Sequence, residues 1–63
     1  MPSGNITKRA IADTMKALMA DRPLTKISVG DIVKECGITR NSFYYHFKDK
    51  YDLASWYFAQ FYE

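Results

Sequence analysis

A chain of 63 residues allows one small domain, and a domain of this size buries only about 60% of its unfolded surface, so its stability is marginal. Its single cysteine excludes an internal disulfide, and one histidine beside that cysteine cannot complete a zinc site, so we expect no metal. An apolar content of 48% argues against disorder, while a net charge of +2 is too small by itself to indicate a nucleic-acid partner.

Signals for export or membrane insertion are not found in the sequence. No apolar run approaches the roughly 18 residues of a membrane span, and the polar start at residues 1–5 does not resemble a secretory signal. A lone thiol at Cys36 without an export signal fits the reducing cytoplasm, which is the expected location.

The first predicted helix covers about residues 7–21. Thr7 is a suitable N-cap, and Ile6 just before it has the spacing to pack on Ile11, at the fourth position of the helix. Four apolar side chains then fall within about 100° of arc and predict one buried stripe. They are Ile11, Met15, Leu18 and Met19. Pro23 ends the helix, because the residue before a proline avoids the α region.

Two short helices joined by a tight turn are predicted next, over about residues 29–36 and 40–47. Ser28 and Thr39 are suitable N-caps for the two helices. Gly37 fits the left-handed residue that commonly follows a helix. Because only about three residues separate the helices, the segment is predicted to form a helix-turn-helix.

A fourth helix is predicted from Asp49, its candidate N-cap, with Asp52 favourably placed against the N-terminal dipole. Its side chains are apolar on almost every face: Leu53, Ala54, Trp56, Tyr57, Phe58, Ala59, Phe61 and Tyr62. A helix of this composition is normally buried on several sides, and the first three helices can cover only one. We therefore expect a second domain or a partner against it, the alternative being an irregular terminal helix.

The third helix carries the side chains best suited to bind DNA. On a wheel at about 100° per residue, Phe43 and Phe47 mark the core direction, whereas Asn41, Ser42 and Tyr45 point away from it. The second helix of a helix-turn-helix enters the major groove, where its N-terminal residues meet base edges. The outward face of helix 3 is therefore a candidate DNA-reading surface.

Tyr44 and His46 flank that face, whereas Arg40 leans toward the core side on the wheel. Arg40 lies in the first turn, from which a long side chain can swing outward and donate two bonds to guanine, as Asn41 can pair with adenine. The phenol groups of Tyr44 and Tyr45 and the imidazole of His46 can reach oxygens of the DNA backbone or a thymine methyl group. Lys50, at the start of helix 4, can add a phosphate contact.

Each of these assignments has a structural alternative. One of the two tyrosines could be a core residue, and the histidine could be a half-buried structural residue. Lys48 is more simply a solvated turn lysine, and Lys50 could be one too. Cys36 is most simply a small buried residue rather than a reactive thiol.

The most specific motif of the chain is the run Phe43-Tyr44-Tyr45-His46-Phe47-Lys48-Asp49-Lys50, followed by Leu53. With Ile32, Gly37 and Ile38 upstream, it resembles the DNA-binding head of a TetR/AcrR-family transcriptional regulator, over residues 7–60. Asn41 stands where that family frequently has glycine. This difference is expected to affect which operator sequence the domain binds, not whether it binds DNA. The tryptophan after the motif, Trp56, makes the chain resemble a subgroup of regulators of dihydroxyacetone kinase genes.

The resemblance implies an all-α fold and a single helix-turn-helix domain over residues 1–63, with a three-helix head over 6–47 and a connecting helix over 49–63. Family members are usually homodimers whose C-terminal domain binds a small ligand and thereby releases operator DNA. That ligand and dimerisation domain is expected to be absent from this chain. Together with the residue chemistry, the resemblance gives the candidate DNA-binding set Ser28, Thr39, Arg40, Asn41, Ser42, Tyr44, Tyr45, His46 and Lys50.

Two functions follow as hypotheses. The first is sequence-specific binding of double-stranded DNA as the head of a ligand-responsive cytoplasmic regulator, a repressor. The alternative is a protein-interaction module that uses the aromatic face of helix 4 and binds no nucleic acid. Attachment to a membrane surface has little support, because basic residues are absent from 51–63. Paired carboxylates in a common pocket and glycine-rich phosphate loops are also lacking, so we expect no enzyme and no cofactor.

Overall fold

The computed structural model describes the backbone of residues 3–61 and the side chains of residues 6–60. The elements in chain order are α1 Ser3–Met19, a short 3₁₀ turn Leu24–Lys26, α2 Val29–Cys36, α3 Arg40–His46 and α4 Lys50–Phe61. Within these residues there is no strand, which confirms the predicted all-α class. No helix in the described part of the chain is long and apolar enough to cross a membrane.

Helix α1 begins and ends earlier than the sequence predicts. It starts at Ser3, so Thr7 lies inside the helix and the predicted N-cap at Thr7 is wrong. Threonine is tolerated inside a helix. An additional helical turn before Thr7 does not change which face of α1 carries the apolar stripe. Ile6 is 64% exposed, so its predicted packing at the helix start is also wrong. After Met19 the chain tightens, and Ala20 donates its N–H to the Ala17 carbonyl at 3.2 Å.

Both ends of α2 lie where the sequence predicts them. The Ser28 hydroxyl oxygen accepts the Asp31 N–H at 3.0 Å, and the Asp31 carboxylate accepts the Ser28 N–H at 3.0 Å, which forms a capping box. Gly37 has a φ of 81°, the left-handed conformation that favours glycine. The Val33 carbonyl accepts N–H groups from Gly37 at 2.8 Å and from Ile38 at 3.0 Å. These bonds close the helix and set the turn into α3.

Helices α3 and α4 are also capped by side chains. The Thr39 hydroxyl oxygen accepts the Ser42 N–H at 3.1 Å, as predicted. Helix α3 ends at His46 rather than at 47, because the backbone of Phe47 is extended. The Asp49 carboxylate accepts the Asp52 N–H at 2.8 Å, which confirms Asp49 as the cap of α4.

All four helices contribute to one apolar core. Its buried members are Ile11, Ala12, Met15, Ile27, Ile32, Val33, Phe43, Phe47, Leu53, Ala54 and Tyr57. Leu18 and Met19, predicted on the buried stripe of α1, are half-buried and pack against this core. Cys36 is likewise half-buried rather than fully buried.

The segment between α1 and α2 is held by a polar network around Arg22. Its guanidinium donates through Nε to the Lys26 carbonyl at 3.1 Å and lies 3.2 Å from the Asp31 carboxylate. The same carboxylate takes part in the capping box of α2, so the network joins the connecting segment to the first turn of that helix.

Candidate nucleic-acid interface

Helix α3 is anchored to the core by two aromatic residues, one inside the helix and one directly after its last residue. Phe43 is fully buried and Phe47 is 3% exposed, and their rings contact each other with centroids 5.8 Å apart. This is the core direction that the spacing of the two residues predicts. The opposite face of α3, in the second helix of the helix-turn-helix, is therefore open to a partner.

The polar side chains of α3 lie on that open face or at its margins. Tyr45 is 84% exposed and Tyr44 is 51% exposed, so neither tyrosine is a core residue. The exposed set also includes Asn41, whereas Ser42 and His46 are half-buried. The Tyr45 ring meets the His46 ring edge to face, with centroids 5.0 Å apart. An aromatic, amide and imidazole surface thus covers the outer side of one helix.

The hydrogen-bonding groups of this surface are not used within the domain. In the part of the chain that the structure describes, the side chains of Arg40, Asn41, Tyr44 and Tyr45 make no hydrogen bond or ion pair. All four residues are exposed, so these donors and acceptors can bind a partner without breaking a hydrogen bond among the described residues. Arg22 and the capping residues differ in this respect, because their side chains are hydrogen-bonded within the domain.

Ser28 and Thr39 combine a capping role with a free donor. Each hydroxyl oxygen accepts a backbone N–H, which leaves the O–H hydrogen available to a third group. Both residues are exposed, one at the start of α2 and the other at the start of α3. Their capping bonds therefore do not prevent either hydroxyl from donating to a phosphate oxygen.

Arg40 is exposed, and its guanidinium lies across the first turn of α2, close to Gly30. Helix α3 itself contains no acidic residue. The nearby Asp31 carboxylate has a pKa below its ordinary value of 3.8, chiefly because the Ser28 backbone N–H and then the Arg22 guanidinium donate to it. That negative charge is thus already matched within the domain.

Lys50 occupies a position that the sequence analysis did not foresee. Its Nζ donates to the Leu24 carbonyl at 2.9 Å and to the Ile27 carbonyl at 2.7 Å, and it lies 5.4 Å from the centre of the Tyr51 ring. The ammonium therefore ties the start of α4 to the segment before α2. A phosphate contact by Lys50, which stays a prediction, has only the remaining N–H to use.

Lys8 makes a second contact that the sequence does not predict. Its Nζ lies 5.5 Å from the ring centres of both Phe47 and Trp56. A cation over aromatic faces is attracted by their quadrupoles, so Lys8 joins α1 to the junction of α3 and α4. Nothing in the local sequence around a lysine in α1 indicates which rings it will meet.

Comparison with known proteins gives one family and several relatives. Residues 11–55 match the family described as bacterial regulatory proteins, tetR family. The HTH-type transcriptional regulator EthR of Mycobacterium tuberculosis is 47% identical over 49 residues, which are 78% of this chain and 23% of EthR. The HTH-type transcriptional regulator AcrR of Shigella flexneri is 41% identical over 49 residues, with the same two shares, 78% and 23%.

A third relative matches over more of the chain. The HTH-type dhaKLM operon transcriptional activator DhaS of Lactococcus lactis is 38% identical over 58 residues, which are 92% of this chain and 31% of DhaS. The chain thus spans less than a third of the length of each of these three relatives. No solved structure matches the chain.

Proposed function

Because the chain belongs to the tetR family of bacterial regulatory proteins, we propose that it reads operator DNA by placing α3 in the major groove. The observation that carries the proposal is the outer face of α3, where exposed polar side chains make no hydrogen bond within the described part of the domain. A surface of this kind suits base edges, which need donors and acceptors that are not already paired.

The side chains divide by the part of the duplex that they approach. The residues assigned to the bases are Arg40, Asn41, Ser42 and Tyr45. The residues assigned to phosphates are Tyr44, His46 and Lys50, together with the two capping hydroxyls of Ser28 and Thr39. Base contacts give sequence preference, whereas phosphate contacts set orientation and bring most of the salt dependence.

The remaining features of the family are proposed for the protein from which this domain comes. Tyr51 is 57% exposed and Phe58 is 45% exposed, so α4 presents aromatic surface that α1 to α3 do not cover. We assign residues 6–47 to the DNA-binding head and residues 49–63 to a connecting helix that packs on a ligand-binding, dimer-forming domain. The protein is then a cytoplasmic, ligand-responsive homodimer that represses its target genes.

The direction of regulation has its own test. One relative, DhaS, is named as an activator, so the family membership alone does not give the sign. A reporter gene placed behind the operator should be expressed less when the parent protein is present. Higher expression would replace repression by activation and leave the DNA-binding proposal intact.

The alternative function is a protein-interaction module that uses α4. The exposure of Tyr51 and Phe58 favours it, because aromatic side chains on a surface are common at protein interfaces. This alternative predicts self-association that Phe58→Glu abolishes. It also predicts that a DNA duplex changes nothing on α3.

A titration followed by NMR, amide by amide, separates the two functions. The chain is mixed with a short duplex of mixed sequence at low and at moderate salt. Shifts confined to residues 39–50 and the start of α2, weakening as salt is added, are expected for a DNA-reading head. A single head should bind with a Kd of about 10⁻⁴–10⁻⁶ M. No shift in α3, with broadening confined to α4, would refute the proposal in favour of the interaction module.

A further inference from the structure

Gly30 is the second residue of α2, and the space above it is occupied by a side chain from α3. A Cβ built on Gly30 would lie 2.9 Å from Nη2 of Arg40 and 3.8 Å from its Cζ. It would also lie 3.4 Å from the Ser28 hydroxyl oxygen. An alanine methyl group at this position would thus lie too close to the Arg40 guanidinium, and one of the two would have to shift.

The backbone gives no reason for a glycine at this position. Among the described residues Gly37 is the one with a positive φ, so Gly30 has a conformation that any residue adopts. Glycine in a helix is less favourable than alanine, because it loses more conformational freedom on folding. What Gly30 provides is therefore the room for Arg40.

The Arg40 guanidinium has no other constraint in the described part of the domain. It makes no hydrogen bond or ion pair there, and the residue is exposed. All five of its N–H donors remain available to a partner. The end of the side chain lies over the first turn of α2, next to Gly30.

We propose that Gly30 is a specificity-determining position of the DNA-reading surface, which acts by letting Arg40 lie against α2 and so selects the base that Arg40 contacts. The inference rests on the proposed function. Gly30 is a positioning residue, since it offers no group of its own to the duplex. Any side chain at this position would push the guanidinium away from α2 and towards a different part of the groove.

The variant Gly30→Ala isolates this effect. The atom that would lie too close to the new methyl group is at the end of the flexible Arg40 side chain, so Arg40 can move while the helices stay in place. The Ser28 hydroxyl oxygen, at 3.4 Å, would be in ordinary van der Waals contact. Alanine also favours the helix more than glycine does. The thermal melting temperature of Gly30→Ala should therefore equal or exceed that of the original chain.

The test is a selection of duplexes from a random-sequence pool at low salt, with the original chain, Gly30→Ala, Arg40→Ala and the double variant. Arg40→Ala should lose about tenfold preference at one base position, as expected for a bidentate contact to guanine. Gly30→Ala should change the preferred base at that same position only. In the double variant the alanine at 30 should add nothing to the effect of Arg40→Ala. Lys16→Ala, which removes one exposed charge from α1, should keep the original preference.

The free protein provides an independent measurement of the geometry. A nuclear Overhauser contact between the Gly30 Hα protons and the end of the Arg40 side chain is expected. Its absence would overturn the inference before any DNA is added.

Three outcomes of the selection also overturn it. If Arg40→Ala changes the preferred sequence but Gly30→Ala does not, Gly30 has no positioning role while DNA reading stands. If Arg40→Ala weakens all duplexes equally, Arg40 contacts the backbone and position 30 cannot set base preference. If the original chain selects no sequence and the NMR titration leaves α3 unshifted, the proposed function fails, and this inference fails with it.

Discussion

Replacing Lys50 by methionine should destabilise the domain, because its ammonium is the link between α4 and the segment that precedes α2. Methionine keeps the length and apolar character of the side chain but cannot donate to the Leu24 and Ile27 carbonyls, now bound at 2.9 and 2.7 Å. The change therefore removes two charge-assisted hydrogen bonds and leaves two carbonyl oxygens without that donor.

The size of the effect follows from the geometry of the site. Hydrogen bonds to charged groups contribute about 1.5–3 kcal/mol each, and these bonds are only partly buried, so water replaces part of what is lost. A net loss of about 2 kcal/mol is a reasonable expectation. For a domain of this size, 1 kcal/mol corresponds to roughly 4–8 °C in Tm, so the Tm should fall by about 10 °C.

Thermal unfolding followed by far-ultraviolet circular dichroism measures this directly. Lys48→Met is the matched control, since Lys48 is exposed and its side chain makes no hydrogen bond within the described residues. The control should change the free energy of unfolding by no more than about 0.5 kcal/mol. Equal melting temperatures for the two variants would show that the ammonium does not hold α4 in place, and the reasoning would be wrong.

Three further predictions concern the turn, the cap and the reading face. Gly37→Ala should lower the free energy of unfolding by about 1 kcal/mol or more in urea denaturation, because Gly37 has a φ of 81°; an unchanged midpoint would contradict this. The lowered pKa of Asp31 stabilises the fold fully above the ordinary value of 3.8, and this contribution is lost as the pH falls through the lowered pKa of the folded state. Asp31→Asn should therefore weaken the pH dependence of unfolding in that range, and an identical pH profile would rule out this role. Tyr45→Ala should leave the Tm within about 2–4 °C, because Tyr45 is 84% exposed, while weakening duplex binding in a titration; a large loss of Tm with unchanged binding would place Tyr45 in the fold instead.

The helix ends that were predicted correctly are those fixed by chemistry within a few residues. Ser28, Gly37 and Thr39 each act on a backbone group no more than five positions away, so their roles can be read from short sequence patterns. Thr7 shows the limit of the same rule. A residue that caps well also tolerates a helix interior, and nothing local decides between the two.

The candidate site could be predicted in part for the same reason. The exposure of Tyr45 follows from its angle to Phe43 on the same helix, which is local information. The partners of Lys50 lie 26 and 23 residues away, and those of Lys8 lie in the connection after α3 and on α4. These contacts depend on how the helices pack, which no short pattern contains.

The polar side chains of this domain fall into two groups with different consequences for mutagenesis. Those around the connection before α2, such as Arg22, Asp31 and Lys50, are bonded within the domain. Removing any of them changes stability before it changes recognition. The polar side chains of α3 make no such bonds with the described residues, so we expect the folding of this marginally stable domain not to depend on them. Substitutions of the polar side chains of α3 should therefore change DNA binding at constant stability. A variant at one of these polar positions that only unfolds the domain would contradict the assignment of this face to DNA.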